Sequence, residues 1–137
     1  LLGRASFVAP GVFTVGDTQV HARAVVVATG SGPFVPPMFE AIRARLLVND
    51  DVFAWDTLPR SVVVFGAGVI GLELGQALHR LGVRVRIFGR GGAVGPLSDP
   101  AVKAAARDAF QKELSLDPEA RVRGVRLGGD GVLVELE

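Results

Sequence analysis

The amino-acid sequence predicts an α/β fold: a parallel β-sheet built around one strand–turn–helix–strand unit, extended by an antiparallel β-meander before it and a β-hairpin after it. Three observations carry this. The stretch SVVVFGAGVIGLELG, Ser61 to Gly75, runs an apolar strand into a group of glycines and then into helical periodicity. Between Val83 and Phe88, apolar residues alternate with Arg84 and Arg86, the period of a strand. Strand, helix and strand in that order, with so tight a turn, form a βαβ unit, whose strands run parallel.

From the N-terminus, Arg4 to Val8, Val12 to Val15, Gln19 to Ala22 and Ala24 to Ala28 read as short strands separated by turn residues, the pattern of a β-meander. The last of them lies in AVVVATGSGP, a continuous apolar run that predicts a strand buried on both faces. Thr29-Gly30-Ser31-Gly32 ends it, and Pro33, Pro36 and Pro37 keep the next residues extended. A domain boundary is therefore expected between residues 1–32 and 33–137.

Glu40 to Leu47 predicts a short helix, and Asn49-Asp50-Asp51 caps a second short turn ending at Trp55. Strand Ser61 to Phe65 follows Leu58-Pro59-Arg60. From Val69 the period becomes helical, with Ile70, Leu74, Ala77, Leu78 and Leu81 on the stripe expected to face the core and Gly82 as the stop. A second helix is expected over Ala101 to Lys112, with Val102, Ala105, Ala106, Ala109 and Phe110 on its inner side. A short strand at Leu114 to Leu116 comes next. Arg121 to Leu127 and Val132 to Leu136, flanking Gly128-Gly129-Asp130-Gly131, form the closing hairpin.

Composition removes several function classes. The chain has 137 residues, 49% of them apolar, enough for one core. Its 15 basic and 14 acidic residues leave a net charge of +1, so no nucleic-acid or anionic-membrane partner is expected. Without cysteine there is no disulfide, thiolate metal site or thiol nucleophile within these residues, and two histidines far apart in sequence do not suggest zinc. No apolar run approaches the ~20 residues of a membrane span, and Leu1-Leu2-Gly3-Arg4 is no signal peptide. A cytoplasmic location is expected.

Gly66, Gly68 and Gly71 stand in GxGxxG spacing at the junction of the predicted strand and helix. Each has a physical reason in a Rossmann-like dinucleotide site. Gly66 permits the tight turn, Gly68 removes a side chain from the pyrophosphate's path, and Gly71 lets the helix lie close to the strand. The phosphates then meet backbone N–H groups at the positive end of the helix dipole. The competing reading is a glycine-rich turn with no ligand; the βαβ context favours the site, with Gly66, Ala67, Gly68, Val69, Ile70 and Gly71 as its candidate residues.

LPRSVVVFGAGVIGLELGQALHRLGVRVRIFGR, Leu58 to Arg90, resembles the nicotinamide-binding segment of the flavin-dependent pyridine nucleotide-disulfide oxidoreductases, dihydrolipoamide dehydrogenase-like members above all. AVVVATGSGPFVPP resembles the strand and crossing loop that precede it. The resemblance implies that residues 1–32 are the end of an FAD domain and residues 33–137 an NAD(P)H-binding domain, truncated at its C-terminal end. It also implies an N-terminal FAD motif with a redox-active cysteine pair and a C-terminal interface domain with a catalytic His and Glu, none of which this chain carries. In the complete, homodimeric enzyme NAD(P)H would bind here and pass hydride to FAD, and the flavin would reduce the disulfide. The 137 residues alone are accordingly expected to be colourless and inactive, with no catalytic residue of their own.

The same resemblance assigns Glu73 to a glutamate close to the flavin, paired in the family with a lysine; read without it, Glu73 is a solvated helix residue. Val69 falls where some relatives place an aromatic gate over the nicotinamide pocket. Thr29 and Gly30 match a loop that turns near the flavin and are given a structural role. His21 and His79 are expected on the surface, and Trp55 in packing.

Cofactor preference is read at the end of the second strand. NAD-type sites place Asp or Glu there, about 20 residues past the glycines, to bind the ribose hydroxyls and repel a 2′-phosphate. This position is Gly89, and the next residue, Arg90, matches an arginine by which NADPH-using relatives hold that phosphate. The second arginine of those relatives is absent from GGAVGPL. A modest preference for NADPH, with NADH still accepted, is expected. Two other readings stay open: the NAD(P)H domain of another FAD oxidoreductase, of ferredoxin reductase or NADH oxidase type, and a dinucleotide-binding module without catalysis.

Overall fold

The structure, a computed structural model, describes residues 1–137 and divides into two compact units, Leu1–Gly32 and Pro33–Glu137. The first holds three antiparallel strands in the order β1 (Ala5–Ala9), β2 (Val12–Val15), β3 (Thr18–His21). Gly11 (φ +71°) and Gly16 (φ +58°) turn the chain between them in conformations that suit glycine alone. Phe7 pairs with Phe13 across the first ladder, their rings 6.0 Å apart.

Ala24 to Ala28, expected as a buried strand, is not one. The segment pairs with nothing, and Val26 and Val27 are 89% and 71% exposed. A continuous apolar run reports a preference for burial, but a strand exists only through the ladder of a neighbour, and within this unit β3 pairs with β2 alone.

The second unit opens with 3₁₀ turns at Pro37–Arg45, kinked at Ile42, and at Asn49–Ala54. The βαβ unit follows: β4 (Ser61–Phe65), α1 (Val69–Arg80), β5 (Arg84–Phe88). Next come α2 (Pro100–Glu113), β6 (Ser115–Asp117) and the hairpin β7 (Val122–Gly128) and β8 (Gly131–Leu136). Strands β4, β5 and β6 form a parallel sheet in that order, with Val63 opposite Arg86 and Ile87 opposite Leu116. Asp99 starts α2 by accepting the Ala101 and Val102 N–H groups, both at 2.9 Å, and Gly82 (φ +90°) stops α1 as expected.

Alternation along the strands separates two cores. Val62, Val64, Val85, Ile87 and Leu116 meet Leu72 and Leu78 of α1 and Ala106 and Phe110 of α2, with Trp55 packed at the margin. On the other side Phe65 joins Phe39, Ile42, Val125, Val132 and Val134, its ring 4.7 Å from that of Phe39.

The helix faces differ from the expected stripes. Leu78 is buried as expected, but Ile70 and Leu81 are exposed, and α1 buries Leu72 and Gly75 in their place. The contact face is centred on glycine: a Cβ on Gly75 would lie 2.7 Å from Ile87 Cδ1. On α2 only Ala106 and Phe110 of the five expected residues turn inward, joined by the half-buried Lys103 and Glu113.

Candidate functional site

The site is built at the carboxyl ends of β4 and β5. Gly66 continues the β4 ladder by one residue, its N–H donating to the Phe88 carbonyl at 2.8 Å, and then turns at φ +120°, where only glycine is comfortable. Ala67 is buried, and its carbonyl accepts the Gly95 N–H at 2.7 Å, tying the loop after β5 to the turn. Gly71 lies against the strand so closely that a Cβ would overlap the Gly66 carbonyl oxygen.

Gly68 differs from its two neighbours in the motif. Its φ of −75° and ψ of −179° are open to any residue, and a Cβ there would meet nothing within 4 Å. It caps α1 through its backbone only, its carbonyl accepting the Leu72 N–H at 3.0 Å. No side chain caps the helix and no acidic residue stands in its first turn, so the leading N–H groups keep their partial positive charge unopposed. Gly66, Gly68, Val69 and Ile70 are exposed around this helix end. Glu73, also exposed, makes no ion pair or hydrogen bond.

At the end of β5 the geometry gives Gly89 its own reason. Its N–H donates to the Asp117 carbonyl at 2.7 Å, and a Cβ would fall 2.7 Å from Pro118 Cα and 2.9 Å from Pro118 O. No side chain fits there, acidic or otherwise. Arg90 beside it is exposed and belongs to none of the chain's ion pairs.

At the other end of α1, Arg80 and Gln76 donate to Glu113 of α2, the shortest bond being Arg80 Nε to Oε1 at 2.6 Å. These hydrogen bonds, Arg80's first, hold the Glu113 carboxyl below its ordinary value, and the same contact raises Arg80. This cluster is structural and lies away from the glycine turn. His21 is exposed on β3 and His79 half-buried on α1.

Two shallow clefts flank the sheet. One, of about 260 Å³, is lined by Arg107, Gln111, Asp117, Pro118 and Glu119; the other, of about 340 Å³, runs over Val63, Arg84, Arg86 and Ser115. The glycine turn lines neither and lies on open surface. The expected site residues Gly66, Ala67, Gly68, Val69, Ile70 and Gly71 thus form one contiguous turn joined by the Gly66–Phe88 hydrogen bond to the strand that carries Gly89 and Arg90. The side chain of Glu119, beyond β6, lies against the Gly92 turn that follows β5, a neighbourhood that no spacing rule shows in the sequence.

The chain resembles known proteins throughout its length. The sequence profile of the pyridine nucleotide-disulphide oxidoreductases matches residues 2–137. Leghemoglobin reductase of Vigna unguiculata is 30% identical over 98% of this chain and 27% of its own, and dihydrolipoyl dehydrogenase 3 of Pseudomonas aeruginosa 33% identical over 89% and 26%. Among solved structures, LpdA of Mycobacterium tuberculosis is 29% identical with a TM-score of 0.71, over 96% of this chain and 28% of its own. The HOCl-induced flavoprotein disulfide reductase of Escherichia coli shares the fold, with a TM-score of 0.79 at 20% identity over 98% and 32%. The chain thus spans about a quarter to a third of the proteins it matches. A glycine turn between parallel strands and a profile match covering all but the first residue lead to one conclusion: the chain belongs to the pyridine nucleotide-disulphide oxidoreductase family.

Proposed function

We propose that the turn Gly66–Gly71 and the first turn of α1 bind the pyrophosphate of NAD(P)H. One observation carries this reading. Gly66 and Gly71 are required by the fold, one by its φ and the other by the strand it touches, whereas Gly68 has neither reason. A glycine with nothing to avoid inside the protein, at the uncapped start of a helix, fits a ligand that needs close approach to the backbone. The residues fit the group: the helix end offers N–H donors without a competing carboxylate.

In the whole protein these residues would hold and orient the dinucleotide while hydride passes between its nicotinamide and a flavin. We assign Leu1–Gly32 to the end of the flavin domain, and we assign the flavin, the reducible disulfide and a homodimer interface to other parts of a longer chain. Exposed Glu73, and Val69 at the head of α1, would face that flavin and the nicotinamide. Arg90, charged and free of any ion pair, would favour NADPH modestly over NADH by holding its 2′-phosphate.

Fluorescence titration with NADPH and NADH tests the site. The parent is expected to bind both, and Gly68→Val to lose at least about tenfold in affinity, or ~1.4 kcal/mol, with its circular dichroism unchanged. A folded Gly68→Val protein with parental affinity would rule the site out.

A further inference from the structure

Just past the proposed site, the ends of β5 and β6 are laced together. The Gly89 N–H donates to the Asp117 carbonyl at 2.7 Å, and the Gly92 N–H to the Pro118 carbonyl at 3.0 Å. The lacing seats the side chain of Glu119 on the Gly91–Gly92 turn: a Cβ on Gly92 would lie 3.2 Å from Glu119 Oε1 and 3.7 Å from its Cγ. The Glu119 backbone is itself held, its N–H donating to Asp117 Oδ1 at 3.1 Å. Its carboxylate takes part in no ion pair. Arg107, the basic residue of the adjoining cleft, is paired with Asp108 at 3.6 Å.

We propose that Glu119 is a specificity-determining residue, supplying from the end of β6 the cofactor-selecting carboxylate that the end of β5 lacks. The inference rests on the dinucleotide reading above. A selecting carboxylate accepts hydrogen bonds from ribose hydroxyls and repels a 2′-phosphate. At Gly89 the backbone of Pro118 excludes such a group, and the same backbone carries one in on the next residue. Glu119 and Arg90 then act in opposite directions at neighbouring positions, and the preference for NADPH is modest because they oppose each other.

The test is the ratio of NADPH to NADH dissociation constants, measured by calorimetry for the parent, Glu119→Gln, Glu119→Lys and, as a charge control in the β7–β8 turn, Asp130→Asn. Glu119 is exposed, so both substitutions are expected to fold, and thermal melts verify it. Glu119→Gln should shift the ratio toward NADPH by about three- to tenfold, Glu119→Lys further, and high salt should shrink both shifts. Asp130→Asn should leave the ratio at the parental value. An unchanged ratio in both Glu119 variants, with both cofactors bound, overturns the role of Glu119 alone. Absence of binding by the folded parent overturns the dinucleotide reading and this inference with it.

Discussion

At the scale of single residues, the three motif glycines separate by what surrounds them. Gly71→Ala puts a methyl group into the Gly66 carbonyl, a backbone contact that only a shift of the helix relieves. It should cost about 1–3 kcal/mol or more of stability, read by chemical denaturation. Gly68→Ala has no such contact. Its lower chain entropy when unfolded and its poorer capping oppose each other, so stability should stay within about 1 kcal/mol of the parent. Equal losses in the two variants would contradict the division of roles. If Arg90 holds the 2′-phosphate as proposed, Arg90→Ala should lower NADPH affinity by about one to two decades and leave NADH binding unchanged, since NADH offers the guanidinium no such phosphate. An equal loss for both cofactors would place Arg90 elsewhere in the site. The motif was legible in the sequence because glycine spacing survives without coordinates. The reason for Gly89 was not, because it lies in Pro118, 29 residues away in the chain.

At the scale of elements, α1 and α2 are joined by Glu113 to Arg80 and Gln76. The Glu113 carboxyl is held below its ordinary value of 4.5, so its contribution is complete above that value and is lost as pH falls through the lower value of the folded state. Glu113→Gln should therefore lower the melting temperature at pH 7 by a small amount, in keeping with a solvent-facing pair. The gap to the parent should close at acid pH; a gap that widens there would contradict the ion pair. Strand positions were legible here, with β4 read at its full length and β5 read one residue too long, from Val83 instead of Arg84. The buried face of α1 was legible only at Leu78, and Leu72 and Gly75 were missed. A helix that meets a sheet through Gly71 and Gly75 hides its contact from any count of apolar residues, and the apolar side chains of Ile70 and Leu81 pointed elsewhere. Ala24 to Ala28 failed for the converse reason: the composition of a buried strand was present and the partner strand was not.

At the scale of the molecule, the parallel sheet, the antiparallel meander and the hairpin follow the α/β reading, and the profile match spans residues 2–137. No helix is long and apolar enough to cross a membrane. What joins fold to function is the claim that the β4–α1 turn receives a dinucleotide, and backbone amides report it most directly. In nitrogen-15 correlation spectra of the ¹⁵N-labelled chain, saturating NADPH should shift the amide resonances of Gly66 to Leu72 together, with those of Gly89 to Gly92 following. The β7–β8 turn at Gly129 to Gly131 should stay in place. Shifts absent from Gly66 to Leu72 while NADPH is demonstrably bound, or spread evenly over the chain, would contradict the account.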